Sequence, residues 1–129
     1  MATTTGHFDV EMEPQNRAGE HGVALGRMGL RKTYRGGLAG TSAGTMLTAM
    51  TPVSGSADYL AFEQFTGTLD GRRGSFVLAH HGRMHGEVSE LRVSVVPDSA
   101  TDALVGLRGT TAIGAAAEGH PWTLTYEGV

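Results

Sequence analysis

The chain has 129 residues, with 10 Lys plus Arg, 13 Asp plus Glu, no cysteine and a net charge of −3. That length suits a single domain over residues 1–129, able to bury about two-thirds of the surface that its unfolded chain exposes. Without cysteine there are no disulfides, thiolate metal sites, iron–sulfur clusters or cysteine nucleophiles, a usage that fits a reducing, cytoplasmic setting, and the acidic balance argues against nucleic acid or an anionic membrane as the main partner.

The 20 glycines are about twice the ordinary share of ~7%, and 15 threonines accompany them. Glycine disfavours helix interiors and threonine favours strands, so composition leans all-β. Phe8, Val10 and Met12 alternate with polar neighbours and predict a first strand with one apolar face. Residues 14–22 carry Pro and Gly and read as a loop. Residues 25–35 form the next strand, Gly36-Gly37 a hairpin turn, and residues 38–50 the returning strand. A turn over residues 51–56 leads to a long strand at 59–69. The strongest turn signal, Asp-Gly-Arg-Arg-Gly at residues 70–74, separates it from a strand at 75–84. Residues 87–96 alternate again and stop at Pro97. Residues 99–106 hold at most one short helical turn, with Ser99 as N-cap and Asp102 in its first turn. A weak strand at 109–116 and a clean one carrying Trp122, Leu124 and Tyr126 complete the chain. About eight strands with mostly short loops make antiparallel neighbours, closing into a barrel or stacking as a sandwich. No run approaches the ~18 apolar residues of a membrane helix, and residues 1–6 lack the basic-then-apolar pattern of a secretory signal.

Six motifs share one order of succession. They are Lys-Thr-Tyr-Arg-Gly-Gly-Leu-Ala-Gly-Thr-Ser at 32–42, Phe-Glu-Gln-Phe-Thr-Gly-Thr-Leu-Asp-Gly at 62–71 and Gly-Ser-Phe-Val-Leu-Ala-His-His-Gly at 74–82. Val-Val-Pro at 95–97, Leu-Val-Gly-Leu-Arg-Gly at 104–109 and His-Pro-Trp-Thr-Leu-Thr-Tyr at 120–126 follow. In this the chain resembles, from about Thr5 onward, a bacterial family of unknown function with an allene oxide cyclase-like barrel. The resemblance implies an eight-stranded antiparallel barrel that self-associates as a homo-oligomer. The wider fold class holds cyclases that work without metal or organic cofactor by folding a reactive apolar substrate inside the barrel. The sequence departs from the family pattern at His81 and through residues 84–90. Function does not follow from fold, so the enzymatic expectation rests on analogy.

The hairpin at Asp70-Gly71 has two candidate registers, and both put Glu63 and His80 on one face with Tyr59, Phe65, Leu69, Phe76 and Leu78. The opposite face carries Gln64, Thr66, Thr68, Ser75, His81 and Arg83, along with Leu60 and Phe62. The first face is therefore the interior, and Glu63 with His80 form a polar pair inside an apolar barrel. Such a pair passes a proton in a cyclisation or isomerisation, or else its members only satisfy each other and fix the register. They are the candidate catalytic residues. Lys32 shares a face with Leu30 and Tyr34. It pairs with Glu63, holds a substrate carboxylate or enolate, or snorkels to water. Tyr34, Tyr59, Phe65, Phe76, Trp122 and Tyr126 are the candidate ligand-binding wall, for which the competing role is plain core packing.

Other patterns carry less. His80 and His81 point to opposite faces and His85 follows at no standard ligand spacing, so no metal is expected. His7, His21 and His120 read as turn or surface residues. Arg27, Arg31, Lys32 and Arg35 read as a solvated face without the aromatic platform of a nucleic-acid binder. Residues 36–40 lack the lysine and helix of a phosphate loop, and Ser42 and Ser75 lack a nucleophile elbow. The expected function is thus a cofactor-free barrel for a small, largely apolar or unsaturated molecule, acting as a cyclase or isomerase. The alternatives are a non-catalytic carrier and a filled barrel that self-associates through Leu60 and Phe62.

Overall fold

The computed structural model describes residues 1–114 and 119–129. Its strands are β1 (Ala2–Ala18), β2 (Ala24–Gly36), β3 (Leu38–Met50), β4 (Ser56–Leu69), β5 (Arg72–His85), β6 (Val88–Val95), β7 (Arg108–Ile113) and β8 (His120–Glu127). Each pairs antiparallel with its sequence neighbour, and β1 meets β8, so the sheet closes as an eight-stranded barrel. The short connections dictate this order, and closure removes most sheet edges. The expected helical turn exists as one 3₁₀ turn at Asp102–Leu104.

Four local expectations are corrected. Residues 14–18 are strand, paired with β2 as far as Ala18↔Leu25. Pro14 is accommodated because the register shifts between Pro14 and Asn16, and because beyond Phe8 only β2 pairs with β1 among the described residues. The turn at Asp70 needs only Asp70 and Gly71, with φ of 47° and 86°, while Leu69 faces Arg72 across a two-residue loop. Thr101, and not Ser99, precedes the 3₁₀ turn; the Ser99 hydroxyl donates to the Val96 carbonyl (2.7 Å) and accepts the Val77 N–H (3.0 Å). The weak strand ends at Ile113, and residues 115 and 116 of the expected range lie outside the described residues.

The two ends of the barrel differ. At one end the inward side chains Leu38, Phe65, Leu69, Phe76, Trp122 and Leu124 are essentially inaccessible, and Leu104 and Leu107 cover them from the loop before β7. Two hydrogen bonds fasten this end: Thr4 Oγ1 donates to Asp70 (2.8 Å), and Tyr126 Oη donates to the same carboxylate. At the other end β8 stops pairing with β1 at Phe8↔His120, and β6 meets β7 only at Ser94↔Thr110. Among the described residues the wall is therefore notched between β1 and β6, and the inward residues Met12 and Leu91 are 48% and 38% exposed.

Candidate functional site

The polar cluster lies where the packed end gives way to the notched end. Register builds it: Lys32 faces Ser42, Ser42 faces Phe65, Glu63 faces Gly44 and Leu78, and His80 faces Ala61. With the period of two, four neighbouring strands thereby direct polar side chains inward at one level. Glu63 is 1% exposed and stands at the centre. Its Oε1 accepts from Tyr34 Oη (2.7 Å), His80 Nε2 (3.1 Å) and Lys32 Nζ (3.2 Å), and its Oε2 accepts from Ser42 Oγ (2.8 Å).

These contacts set the charges. Burial alone would push the Glu63 carboxyl up, but the His80 hydrogen bond, the Lys32 charge and the Tyr34 hydroxyl together hold it at about 2. Burial lowers the Lys32 ammonium from its ordinary value, and Glu63 opposes that shift. Burial and the adjacent Glu63 charge raise the Tyr34 phenol, which stays a donor. An ionised carboxylate only accepts, so the proton of a neutral His80 ring sits on Nε2 and leaves Nδ1 as a lone-pair base.

A cavity of about 280 Å³ opens from this cluster toward the notch. Phe8, Lys32, Met46, Tyr59, His80 and His120 are among its lining residues. Lys32 Nζ lies 4.2 Å from the centre of the Phe8 ring, on which His120 stacks at 4.9 Å. Tyr59 finds its place because residue 82 is glycine: a Cβ there would come within 2.0 Å of the Tyr59 ring. Larger hollows of about 670 and 470 Å³ lie on the outer surface, between outward side chains such as Leu60 and Phe62 or Thr41 and Thr66. The inner cavity is the better site despite its size, because it brings two buried titratable residues, Lys32 and His80, to one apolar wall.

Glu63, His80, Lys32 and Tyr34 are thus brought together, and Tyr59 lines the cavity beside them. Lys32 neither snorkels nor joins a solvated basic face; it is 7% exposed and bound to Glu63. Phe65, Phe76, Trp122 and Tyr126 do not reach the cavity, since they fill the packed end. Besides the apolar wall residues Phe8 and Met46, two polar residues of the site escaped the sequence reading. Ser42 shares the inward parity of Leu38 and Met46, and His120 that of Trp122 and Leu124, so alternation held both signals. His120 is therefore corrected from a surface residue to a half-buried wall residue. His81 lies outside the barrel, bonded with Arg83 to Asp58 at 3.1 and 3.0 Å; these hydrogen bonds, Arg83 first, hold the Asp58 carboxyl at about 2.

The sequence profile of a family described as proteins of unknown function (DUF3224) matches residues 4–126. A crystal structure of a DUF3224 protein of unknown function from Shewanella oneidensis MR-1 shares 46% identity with a TM-score of 0.95. The match covers 100% of this chain and 98% of that one. No curated protein matches the chain. These likenesses concern a family and its barrel, and none is to an allene oxide cyclase.

Proposed function

Because the chain belongs to the DUF3224 family of proteins of unknown function, we propose its function from the site itself: a cofactor-free barrel that isomerises or cyclises a small, largely apolar molecule by proton transfer. One observation carries this reading. A base, His80, and a cationic donor, Lys32, line one apolar cavity and share the same buried carboxylate oxygen of Glu63. In the reaction His80 Nδ1 takes a proton from the carbon beside a carbonyl group. The Lys32 ammonium stabilises the enolate oxygen, and Glu63 stabilises the imidazolium. The proton held on His80 exchanges with solvent, and its return to another carbon shifts the double bond and carries deuterium in from D₂O, so no co-reactant is needed. Lys32 and His80 are the catalytic residues in this scheme, Glu63 is a positioning residue, and Tyr59 with Phe8 supplies the apolar wall. The analogy with allene oxide cyclases agrees with this scheme but adds no residue to it.

The test is the conversion of 3-cyclohexenone to its conjugated isomer, followed by absorbance and by deuterium incorporation from D₂O. The wild type accelerates both, and His80→Ala loses about 10²-fold or more. Wild-type rates equal to buffer would overturn the catalytic reading. A binding role without chemistry is the second reading, supported by the four donors that fully engage Glu63. Self-association is a separate element of the proposal. Leu47, Leu60 and Phe62 are 53%, 52% and 63% exposed on neighbouring outer positions of β3 and β4, which favours a homo-oligomer through that face. Phe62→Ser would then lower the mass measured by light scattering, whereas a wild type that is monomeric at high concentration would remove this element.

A further inference from the structure

Resting on the reading of the cavity as a ligand site, the geometry points to a class of competing ligand rather than substrate: a small unsaturated or aromatic carboxylate, bound with uptake of a proton at His80, which then no longer serves as a base. Among the described residues the cavity carries three basic side chains, Lys32, His80 and His120, and no acidic one. Glu63, to which Lys32 and His80 are bonded, is 1% exposed and closed off by its donors. Lys32 Nζ and His80 Nε2 bond the same Glu63 oxygen, so these two nitrogens stand within two hydrogen-bond lengths of each other; the two oxygens of one headgroup would be divided between Nζ and the Nδ1 on the far side of the His80 ring.

The charge balance then requires a proton. Without ligand, the Glu63 carboxylate and the Lys32 ammonium cancel, and a neutral His80 adds nothing. A second carboxylate would leave one negative charge in an apolar chamber, a costly arrangement. A proton on His80 Nδ1 removes it: the imidazolium then donates through Nε2 to Glu63 and through Nδ1 to the ligand, and two anions alternate with two cations. The titratable groups facing His80 are Lys32 and Tyr34 of β2, Tyr59 and Glu63 of β4 and His120 of β8. The remaining strands direct no titratable side chain into the cavity among the described residues.

The rest of the ligand follows from the walls. A volume of 280 Å³ holds about ten non-hydrogen atoms, at ~30 Å³ for each water-sized unit. The His120 ring, stacked on Phe8, and the Tyr59 ring offer flat faces, which favour a planar unsaturated body over a branched one.

Calorimetric titration of the wild-type protein with cinnamate and with cinnamamide, its neutral isostere, tests the inference. Each titration is run at a pH about one unit above the ordinary His value of ~6.5, in buffers of different ionisation enthalpy. Cinnamate is expected to bind about tenfold or more tightly than cinnamamide, with uptake approaching one proton, while cinnamamide takes up none. In His80→Gln the uptake disappears. Equal affinities, cinnamate binding without uptake, or uptake that persists in His80→Gln would each overturn the inference. If cinnamamide binds as well as cinnamate, the cavity remains a ligand site and only the anionic class is lost. If neither compound binds the folded wild type, the ligand-site reading falls with it.

Discussion

The same eight strands build two unlike ends. At one end Phe65, Phe76, Leu69 and Trp122 interlock, and the 3₁₀ turn and the Asp70 hairpin cover them. At the other end the inward positions hold Met12, Met46, Tyr59 and Leu91, and among the described residues the wall is notched around a cavity of 280 Å³. The packed end uses side-chain volume for stability, and its ring pairs keep ordinary spacings, such as 5.1 Å for Phe65 with Phe76. The other end gives up that volume and keeps adaptable thioethers around its cavity. The Glu63 cluster sits between them, so the packed half forms a rigid floor for the chemistry of the open half.

The largest effect should come from breaking the packed end. Phe76→Ala removes a fully buried ring and is expected to cost about 3–5 kcal/mol in urea unfolding. Next comes the boundary. Glu63→Gln leaves Lys32 buried without its counter-charge, at a cost of about 3 kcal/mol near neutral pH. That difference depends on pH with a definite sign. The folded Glu63 carboxyl, at about 2, lies below its unfolded value of ~4.3, so its contribution is complete above ~4.3 and is lost as pH falls toward about 2. Unfolding curves of the wild type and Glu63→Gln should therefore converge across that window, whereas a constant gap would mean that the ionised carboxylate is not what stabilises the boundary.

The open end should respond weakly. Met46→Leu conserves volume beside the cavity and should change stability by less than about 1.5 kcal/mol, even where it alters ligand affinity. The smallest effect sharpens the contrast from the packed side. Thr111 Oγ1 is enclosed there with no hydrogen-bond partner among the described residues. Thr111→Val replaces it with a methyl group and should stabilise the chain by up to about 1 kcal/mol in thermal melts.

Much of this was legible in the residues. Alternation at Phe8-Val10-Met12 and Trp122-Leu124-Tyr126 fixes strand faces, and the even loop at Asp70-Gly71 puts Glu63 and His80 on one side in either register. Parity says which face a side chain takes but not its level along the barrel. For that reason alternation leaves Phe65 and Trp122 open between cavity wall and core, and Lys32 between snorkelling and pairing with Glu63; the structure puts the two rings in the packed end and Lys32 on Glu63. Level depends on strand stagger, which long-range pairings such as Lys32↔Ser42 and Phe8↔His120 determine. Pro14 misled for a related reason: it marks a loop unless a bulge and a free edge accommodate it, and β1 provides both.

The central claim is that the packed half and Glu63 together present His80 to the cavity as a base. The most direct measurement is a long-range ¹⁵N–¹H correlation spectrum of the imidazole rings, recorded about one unit above the ordinary His value of ~6.5. The account predicts that His80 carries its proton on Nε2, with Nδ1 showing the shift of an unprotonated nitrogen and moving when an anionic ligand is added. A His80 ring protonated on Nδ1 and bare at Nε2 would contradict it, because Glu63 could then not be the ionised acceptor on which the site depends.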